Sequence, residues 1–173
     1  MGQYAQLIVA AGKVSRGYAE RLLPGITPQQ FGRMASVNGK IINTNHPAWV
    51  YGHLATYPAK VASMVGLDAS KLAAPANFED LFKDATECKD DATGKVYPAM
   101  EVITTAFFKT HDALFETLGG IDDAKLLAQT PDEKARQRFP QIGGRVLFMC
   151  NNHVMMHLGQ VSAWRRCVGL PPA

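Results

Sequence analysis

Residues 141–169 read QIGGRVLFMCNNHVMMHLGQVSAWRRCVG, the longest stretch of helical pattern in the chain. One set of side chains recurs there in steps of three or four residues, which places them on one face of an α-helix. These are Val146, Cys150, His153, His157, Gln160 and Trp164. Gly169, with prolines at positions 171 and 172, supplies a stop signal. The stretch therefore predicts a helix from Gln141 to Val168 whose histidine-bearing face turns toward the protein interior.

A first long helix is predicted over Tyr4–Leu23, ahead of the stop signal at Pro24 and Gly25. Its predicted inner face is mostly apolar and consists of Leu7, Ile8, Ala11, Val14, Tyr18 and Leu22. Thr27–Gln30 follows with the sequence of a capping box and a proline at the first helical position, which predicts a short helical turn.

A second long helix is predicted to start at Asn45, whose side chain can cap it, and to continue to Gly66. Pro58 lies inside this pattern. Because proline lacks an N–H and its ring crowds the preceding turn, the helix should bend or break about one turn past His53.

A third long helix, two short segments and a long loop complete the predicted elements. The helix begins near Pro98 and ends at Gly119 and Gly120, with an inner face of Met100, Ile103, Phe107 and Leu114. Thr130–Glu133 predicts another capping box. Residues 67–96 are loop-like, with at most one short helix around Phe78–Asp84, and loops of this length often act as functional lids.

The predicted class is all-α, a four-helix bundle in a single domain over residues 1–173. No segment shows the sustained alternation of a sheet. A hydrophobic fraction of 47% and a mean hydropathy of −0.08 exclude disordered and membrane-spanning classes. A secretory signal is not recognised and the three cysteines are irregularly spaced, so we expect a cytoplasmic protein.

The charge distribution does not indicate a nucleic-acid partner. The formal net charge is +3, and residues 134–173 contain basic side chains but no acidic ones. Proteins that follow phosphates usually show a denser basic stripe with interleaved aromatic residues. A solvated basic helix end, or one that faces the acidic segment 78–91, is the simpler interpretation.

Two histidines of the last predicted helix, His153 and His157, can share one metal ion because residues four apart lie on the same face. A chance surface or capping pair is the alternative, but two buried imidazoles without partners would be costly. His53 is the best candidate for a third ligand, since it shares a stripe with Trp49 and Tyr57 and since neighbouring Gly52 permits close approach. His46 is better suited to capping or solvent exposure, and His111 to a polar helix face.

Other polar residues have both a structural and a functional interpretation. Cys150 can be a fourth ligand or a redox thiol, but core packing is favoured. Gln160 can orient an imidazole or simply form an interhelical hydrogen bond. Arg165 and Arg166 can attract an anionic thiol, although basic residues commonly complement the dipole at a helix end.

Two motifs carry a family resemblance. Asn45–Leu54, NHPAWVYGHL, is similar to the second-helix motif of the DinB/YfiT-like superfamily of metal-dependent enzymes, and His153–Gln160, HVMMHLGQ, is similar to its last-helix motif. The resemblance implies a bundle with up-down-down-up connectivity, a homodimer, and one metal held by His53, His153 and His157. Some members use the thiols mycothiol, bacillithiol or glutathione.

We therefore expect a metal-dependent transferase or hydrolase that acts on a small molecule, by thiol transfer or by hydrolysis. Three imidazoles leave the coordination of Zn²⁺, Ni²⁺ or Fe²⁺ open, as in catalytic sites. A low-molecular-weight thiol is a possible second cofactor, and the general base is not identified. The alternatives are a non-catalytic metal-binding or stress-associated protein, and a bundle that binds no metal.

Overall fold

The computed structural model describes residues 2–173, which are mostly helical, and confirms the all-α class. The elements are α1 (Gln3–Arg21), α2 (Pro28–Phe31), β1 (Ser36–Val37), β2 (Lys40–Ile41), α3 (Pro47–Ala55), α4 (Tyr57–Met64), α5 (Phe78–Phe82), α6 (Met100–Leu118), α7 (Asp123–Leu127), α8 (Glu133–Arg138), α9 (Ile142–Leu147) and α10 (His153–Cys167). A 3₁₀ turn spans Ser70–Leu72, and a π-helical turn joins α9 to α10. Within residues 2–173, no helix is both long and apolar enough to cross a membrane.

The long helices pack around shared apolar cores. Helix α6 contacts α1, α3 and α4, and α10 contacts α1 and α3. The predicted inner face of α6 is correct for Ile103, Phe107 and Leu114, all of which are buried. This packing places α3 beside α10, which brings their histidines to the same part of the interior.

The predicted inner face of α1 is wrong at two positions. Leu7 and Val14 are 67% and 65% exposed. Most of the residues that pack inward are small, such as Gly12, where an added Cβ would lie 2.5 Å from the ring of Phe115. Small residues allow close approach between helices, so the apolar pattern was correct for Ile8 and Leu22, which are buried, and wrong for Leu7 and Val14.

The second predicted helix carries one proline prediction and one cap prediction, and their outcomes differ. The helix breaks at Thr56, and Pro58 occupies the first turn of α4, where a missing N–H costs little. The predicted break is therefore confirmed. The cap is His46 rather than Asn45, because His46 Nδ1 accepts the Trp49 N–H at 3.2 Å.

The chain also contains a small hairpin that the sequence analysis missed. Strands β1 and β2 pair antiparallel. Asn38 and Gly39 connect them with φ of 50° and 75°, and both central residues of the tightest hairpin turn need positive φ. The Asn-Gly pair was a usable signal, but strands of two residues cannot show alternation.

The remaining boundaries follow local capping. The Thr27 capping box is confirmed, but the second box is wrong. There the Asp132 carboxylate, not Thr130, accepts the Ala135 N–H at 2.7 Å and starts α8. The long loop contains the expected short helix, which ends at Phe82, and also the 3₁₀ turn Ser70–Leu72.

Candidate metal centre

Three histidines from two helices meet in the protein interior. His53 lies on α3, and His153 and His157 lie one turn apart on α10. Each offers one ring nitrogen, and these nitrogens all lie within 4.8 Å of one another. All three side chains are buried. The structure thus brings together the same three residues that the sequence predicts as a ligand set.

The orientation of His53 is set by two contacts. Its Nδ1 donates a hydrogen bond to the Phe82 carbonyl at 2.7 Å. The indole of Trp49 stacks on the imidazole, with ring centroids 4.6 Å apart and an interplanar angle of 12°. Because Nδ1 carries the proton, the lone pair of His53 is on Nε2, the form in which a neutral imidazole binds a metal.

The tautomer of His157 is set in the same way by an amide. His157 Nδ1 donates to Gln160 Oε1 at 3.1 Å, and Asn45 Nδ2 donates to the same oxygen at 3.1 Å. His157 Nε2 is thereby left with a lone pair and lies 3.1 Å from His153 Nε2. Gln160 therefore has the orienting role that was one of its two predicted alternatives, and Asn45 supports it instead of capping a helix.

His153 is positioned by the π-helical turn Phe148–Asn152, which the sequence analysis did not predict. The His153 N–H donates to the carbonyl of Phe148, five residues back. Helix α1 supports the turn, because Ser15 Oγ donates to the Cys150 carbonyl at 3.1 Å and Asn151 Nδ2 donates to the Ala11 carbonyl at 2.7 Å. π-turns are frequent at functional sites, and this one ends on a candidate ligand.

The three imidazoles are in a setting that disfavours their charged form. Burial lowers the pKa of His53 to about 4 and that of His153 to about 3, and it also lowers the pKa of His157. Repulsion between neighbouring rings is a further cause of the lowered pKa of His53 and His153, because two charged imidazoles so close together would repel each other. At neutral pH all three rings are therefore neutral and able to donate a lone pair.

This donor set fits a divalent metal ion. Three neutral imidazole nitrogens suit Zn²⁺, Ni²⁺ or Fe²⁺ better than they suit Ca²⁺ or Mg²⁺, which prefer oxygen ligands. His153 Nδ1 is buried without a hydrogen-bond partner. An ion held by one ring nitrogen of each histidine would compensate for burying three imidazoles so close together. The type and the burial of these donor atoms therefore fit a metal centre.

A short segment, Phe82–Thr86, crosses one side of the cluster and is called the strap below. It holds the site at three points: the Phe82 carbonyl accepts from His53, Asp84 Oδ1 accepts from Tyr57 at 2.7 Å, and Thr86 Oγ1 accepts from Trp49 Nε1 at 3.3 Å. Asp84 Oδ1 lies 3.9 Å from His53 Nε2. The sequence analysis did not single out Asp84, because only the length of the loop suggested a functional role.

The two other histidines lie outside the cluster. His46 caps α3 and is fully buried, and its Nε2 donates to the Lys89 carbonyl at 2.9 Å. Capping is therefore confirmed for His46 and solvent exposure is wrong. The predicted polar face for His111 is also wrong, because the side chain is buried against Phe107 and donates to the Phe107 carbonyl at 2.8 Å.

Cys150 and Arg165 have structural roles. Cys150 is buried, and this burial raises the pKa of its thiol to about 12, which fits the favoured core-packing role. Arg165 is also buried and donates to the carbonyls of Leu22, Pro24 and Pro171 at 2.7, 2.7 and 3.0 Å. Its guanidinium fastens the C-terminal tail to the end of α1.

Comparison with known proteins agrees with this geometry. A family model described as the DinB superfamily matches residues 13–161, which is most of the chain. The chain belongs to the DinB superfamily. The match includes both histidine motifs and confirms the resemblance drawn from them. A search of curated proteins found no match to this DinB-superfamily chain.

Proposed function

We propose that this DinB-superfamily protein is a metal-dependent enzyme in which His53, His153 and His157 hold one divalent ion and a small molecule reacts beside it. The observation that carries the proposal is the convergence of three buried, neutral imidazole nitrogens within 4.8 Å. Three protein ligands leave a coordination position free, which distinguishes catalytic sites from closed structural ones.

The chemistry proposed for the centre is activation of a nucleophile. A bound divalent ion lowers the pKa of a water or thiol ligand toward neutrality. Aromatic rings lie against two of the histidines: Trp49 against His53, and Tyr57 and Phe148 against His153. These rings help to keep solvent away from the cluster. Hydrolysis and thiol transfer both use this element, and we propose one or the other as the reaction.

The support for the two reactions is not equal. The sequence suggested Arg165 and Arg166 as attractants for an anionic thiol cofactor. Arg165 is instead engaged by three backbone carbonyls, whereas Arg166 is exposed. Thiol transfer therefore rests mainly on the family resemblance. Hydrolysis needs only a small molecule and a water at the coordination position that three protein ligands leave free.

Metal analysis of freshly purified protein tests the proposal first. We expect about one Zn²⁺, Ni²⁺ or Fe²⁺ per chain in the wild type and a large loss in His53→Ala. The loaded protein is then assayed against ester and amide substrates, and against thiols with electrophiles. Metal without turnover in either panel would favour the alternative, a non-catalytic metal-binding or stress-associated protein. Absence of bound metal, even after reconstitution, would contradict the proposal.

Three further features stay predictions. They are the up-down-down-up connectivity of a four-helix bundle, the homodimer and the cytoplasmic location. The exposed apolar side chains of α1, Leu7 and Val14, are where a second copy can bury surface. Sedimentation at micromolar concentration tests the homodimer, and a monomer at all concentrations contradicts it.

A further inference from the structure

The strap brings a carboxylate to the boundary between the histidine cluster and solvent. The side chain of Asp84 is 77% exposed, whereas that of His53 is 3% exposed, yet Asp84 Oδ1 and His53 Nε2 are 3.9 Å apart. This distance is too long for a hydrogen bond between them. Asp84 is also outside the group of side chains whose donor atoms lie within 4.8 Å of one another. The carboxylate therefore lies beside the ligand set.

The position of Asp84 is enforced by its neighbours. Tyr57, one turn beyond His53, donates its hydroxyl to Asp84 Oδ1 at 2.7 Å. Ala85, the next residue, has a φ of +65°, which is unfavourable for a side chain with a Cβ and costs about 1 kcal/mol or more. Hydrogen bonds from His53 to Phe82 and from Trp49 to Thr86 fix the strap on both sides of this residue. The strained turn keeps the carboxylate next to the cluster.

Within residues 2–173, no lysine or arginine forms an ion pair with Asp84, although Lys60 is near enough to help the Tyr57 hydrogen bond lower the pKa of its carboxyl. Lys60 Nζ lies 3.0 Å from Glu79 Oε1 and 5.0 Å from the centre of the Tyr57 ring. Because Lys60 is paired with Glu79, the charge of Asp84 is not neutralised by a partner of its own. An anion that approached along Asp84 would be repelled, and a neutral group with a proton to donate would find an acceptor.

We propose that Asp84 binds the proton-bearing group of a small molecule that takes the coordination position left free by the three histidines. Asp84 thus selects neutral molecules that keep a proton to donate, such as water and alcohols, over carboxylates and other anions. This inference rests on the proposed function, because it concerns a ligand of the same site. Tyr57 is a positioning residue that holds the acceptor in place.

Ligand binding to the cobalt-loaded protein tests the role of Asp84 without an activity assay. The variant Asp84→Asn keeps the size of the side chain, removes its negative charge and replaces one acceptor oxygen by an N–H donor. The visible spectrum of Co²⁺ reports binding of two probes, azide, which is an anion, and imidazole, which stays neutral and keeps an N–H when it binds the ion. We expect Asp84→Asn to bind azide about tenfold more tightly and imidazole about tenfold more weakly than the wild type.

Asp80→Asn is the matched control, because it removes the same charge from an exposed residue on α5. Its affinities for both probes should equal those of the wild type. If Asp84→Asn leaves both affinities unchanged, or shifts them in the same direction, Asp84 is not the acceptor. If the wild type binds no Co²⁺ at all, the proposed function fails and this inference fails with it. Cobalt binding with unchanged probe affinities contradicts the inference alone.

Discussion

Gln160 lies one turn beyond His157 on α10, and its side-chain oxygen accepts the Nδ1 proton of that histidine at 3.1 Å. The same oxygen accepts a second hydrogen bond, from Asn45 just ahead of α3. A single amide therefore joins the two helices that supply the ligands. It also fixes which nitrogen of His157 faces the cluster.

Loss of the Gln160 amide should weaken metal binding while leaving the three histidines in place. In Gln160→Leu the Nδ1 proton of His157 has no acceptor, and outer partners of this kind typically contribute about 10- to 100-fold to metal affinity. Competition with a chromophoric chelator measures the change. Asn45→Ala is the control, because Gln160 then still accepts from His157. Equal losses in the two variants would show that the interhelical contact, and not the tautomer of His157, is what matters.

Gly52 should be intolerant of a side chain, although Gly159 should accept one. An added Cβ at Gly52 would lie 2.5 Å from the Phe82 ring, whereas at Gly159 it meets nothing within 4 Å. Gly52→Ala should destabilise the protein by about 1–3 kcal/mol and weaken metal binding, because Phe82 must move and its carbonyl holds His53. Gly159→Ala should be neutral or stabilising by up to about 1 kcal/mol.

Urea unfolding of the metal-free variants, followed by chelator competition, checks this pair of predictions. Both glycines are in helices next to candidate ligands, so a general effect of alanine on helices affects both variants alike. A Gly52→Ala protein with wild-type stability and affinity would mean that Phe82 relaxes without disturbing His53.

The three-histidine cluster could be predicted from the sequence because its information is local. His153 and His157 are four residues apart, and His53 lies on the same predicted stripe as Trp49 and Tyr57. Helical periodicity converts such spacing into a shared face. The π-turn before His153 does not disturb the prediction, because both histidines follow it.

The parts of the site that the sequence did not reveal depend on contacts between distant segments. Asp84 reaches the cluster only because the strap folds back onto α3, and no periodic pattern describes a loop. His111 was placed on a polar face because Lys109 and Asp112 are its neighbours in sequence. The structure buries it beside Phe107, where its own backbone bond satisfies Nδ1. Exposure of Leu7 and Val14 likewise depends on which helices cover α1.

The burial of His111 makes the metal-free protein sensitive to acid. Burial lowers its pKa to about 4, against about 6.5 in an unfolded chain. The unfolded state therefore binds a proton first as the pH falls. The contribution of neutral His111 to the free energy of unfolding is therefore complete above pH 6.5. It is lost between about pH 6.5 and pH 4, by up to about 1.4 kcal/mol per pH unit for one group.

Replacing His111 by phenylalanine should remove this part of the acid sensitivity. Phenylalanine suits the aromatic surroundings formed by Phe107 and Phe115 and does not titrate. Between pH 7 and pH 5, His111→Phe should lose about 2 kcal/mol less unfolding free energy than the wild type. The other buried histidines titrate in both proteins, so their effects cancel in the difference. Parallel losses in urea titrations at the two pH values would show that the folded protein protonates His111 as readily as the unfolded chain does.

Removal of His157 should separate metal binding from folding. His157→Ala leaves two imidazoles, which cannot maintain the same open coordination, so the metal content should fall from about one per chain to a small fraction. The helices should survive, since the long helices α1, α6 and α10 are held by buried apolar side chains such as Ile103, Phe107 and Leu158. The far-ultraviolet circular dichroism spectrum should therefore stay close to that of the wild type. Met156→Ala, at the exposed neighbouring position, is the control and should keep its metal. Full metal content in His157→Ala would show that the ion is held elsewhere, because the two remaining nitrogens supply too few ligands for a site of this kind.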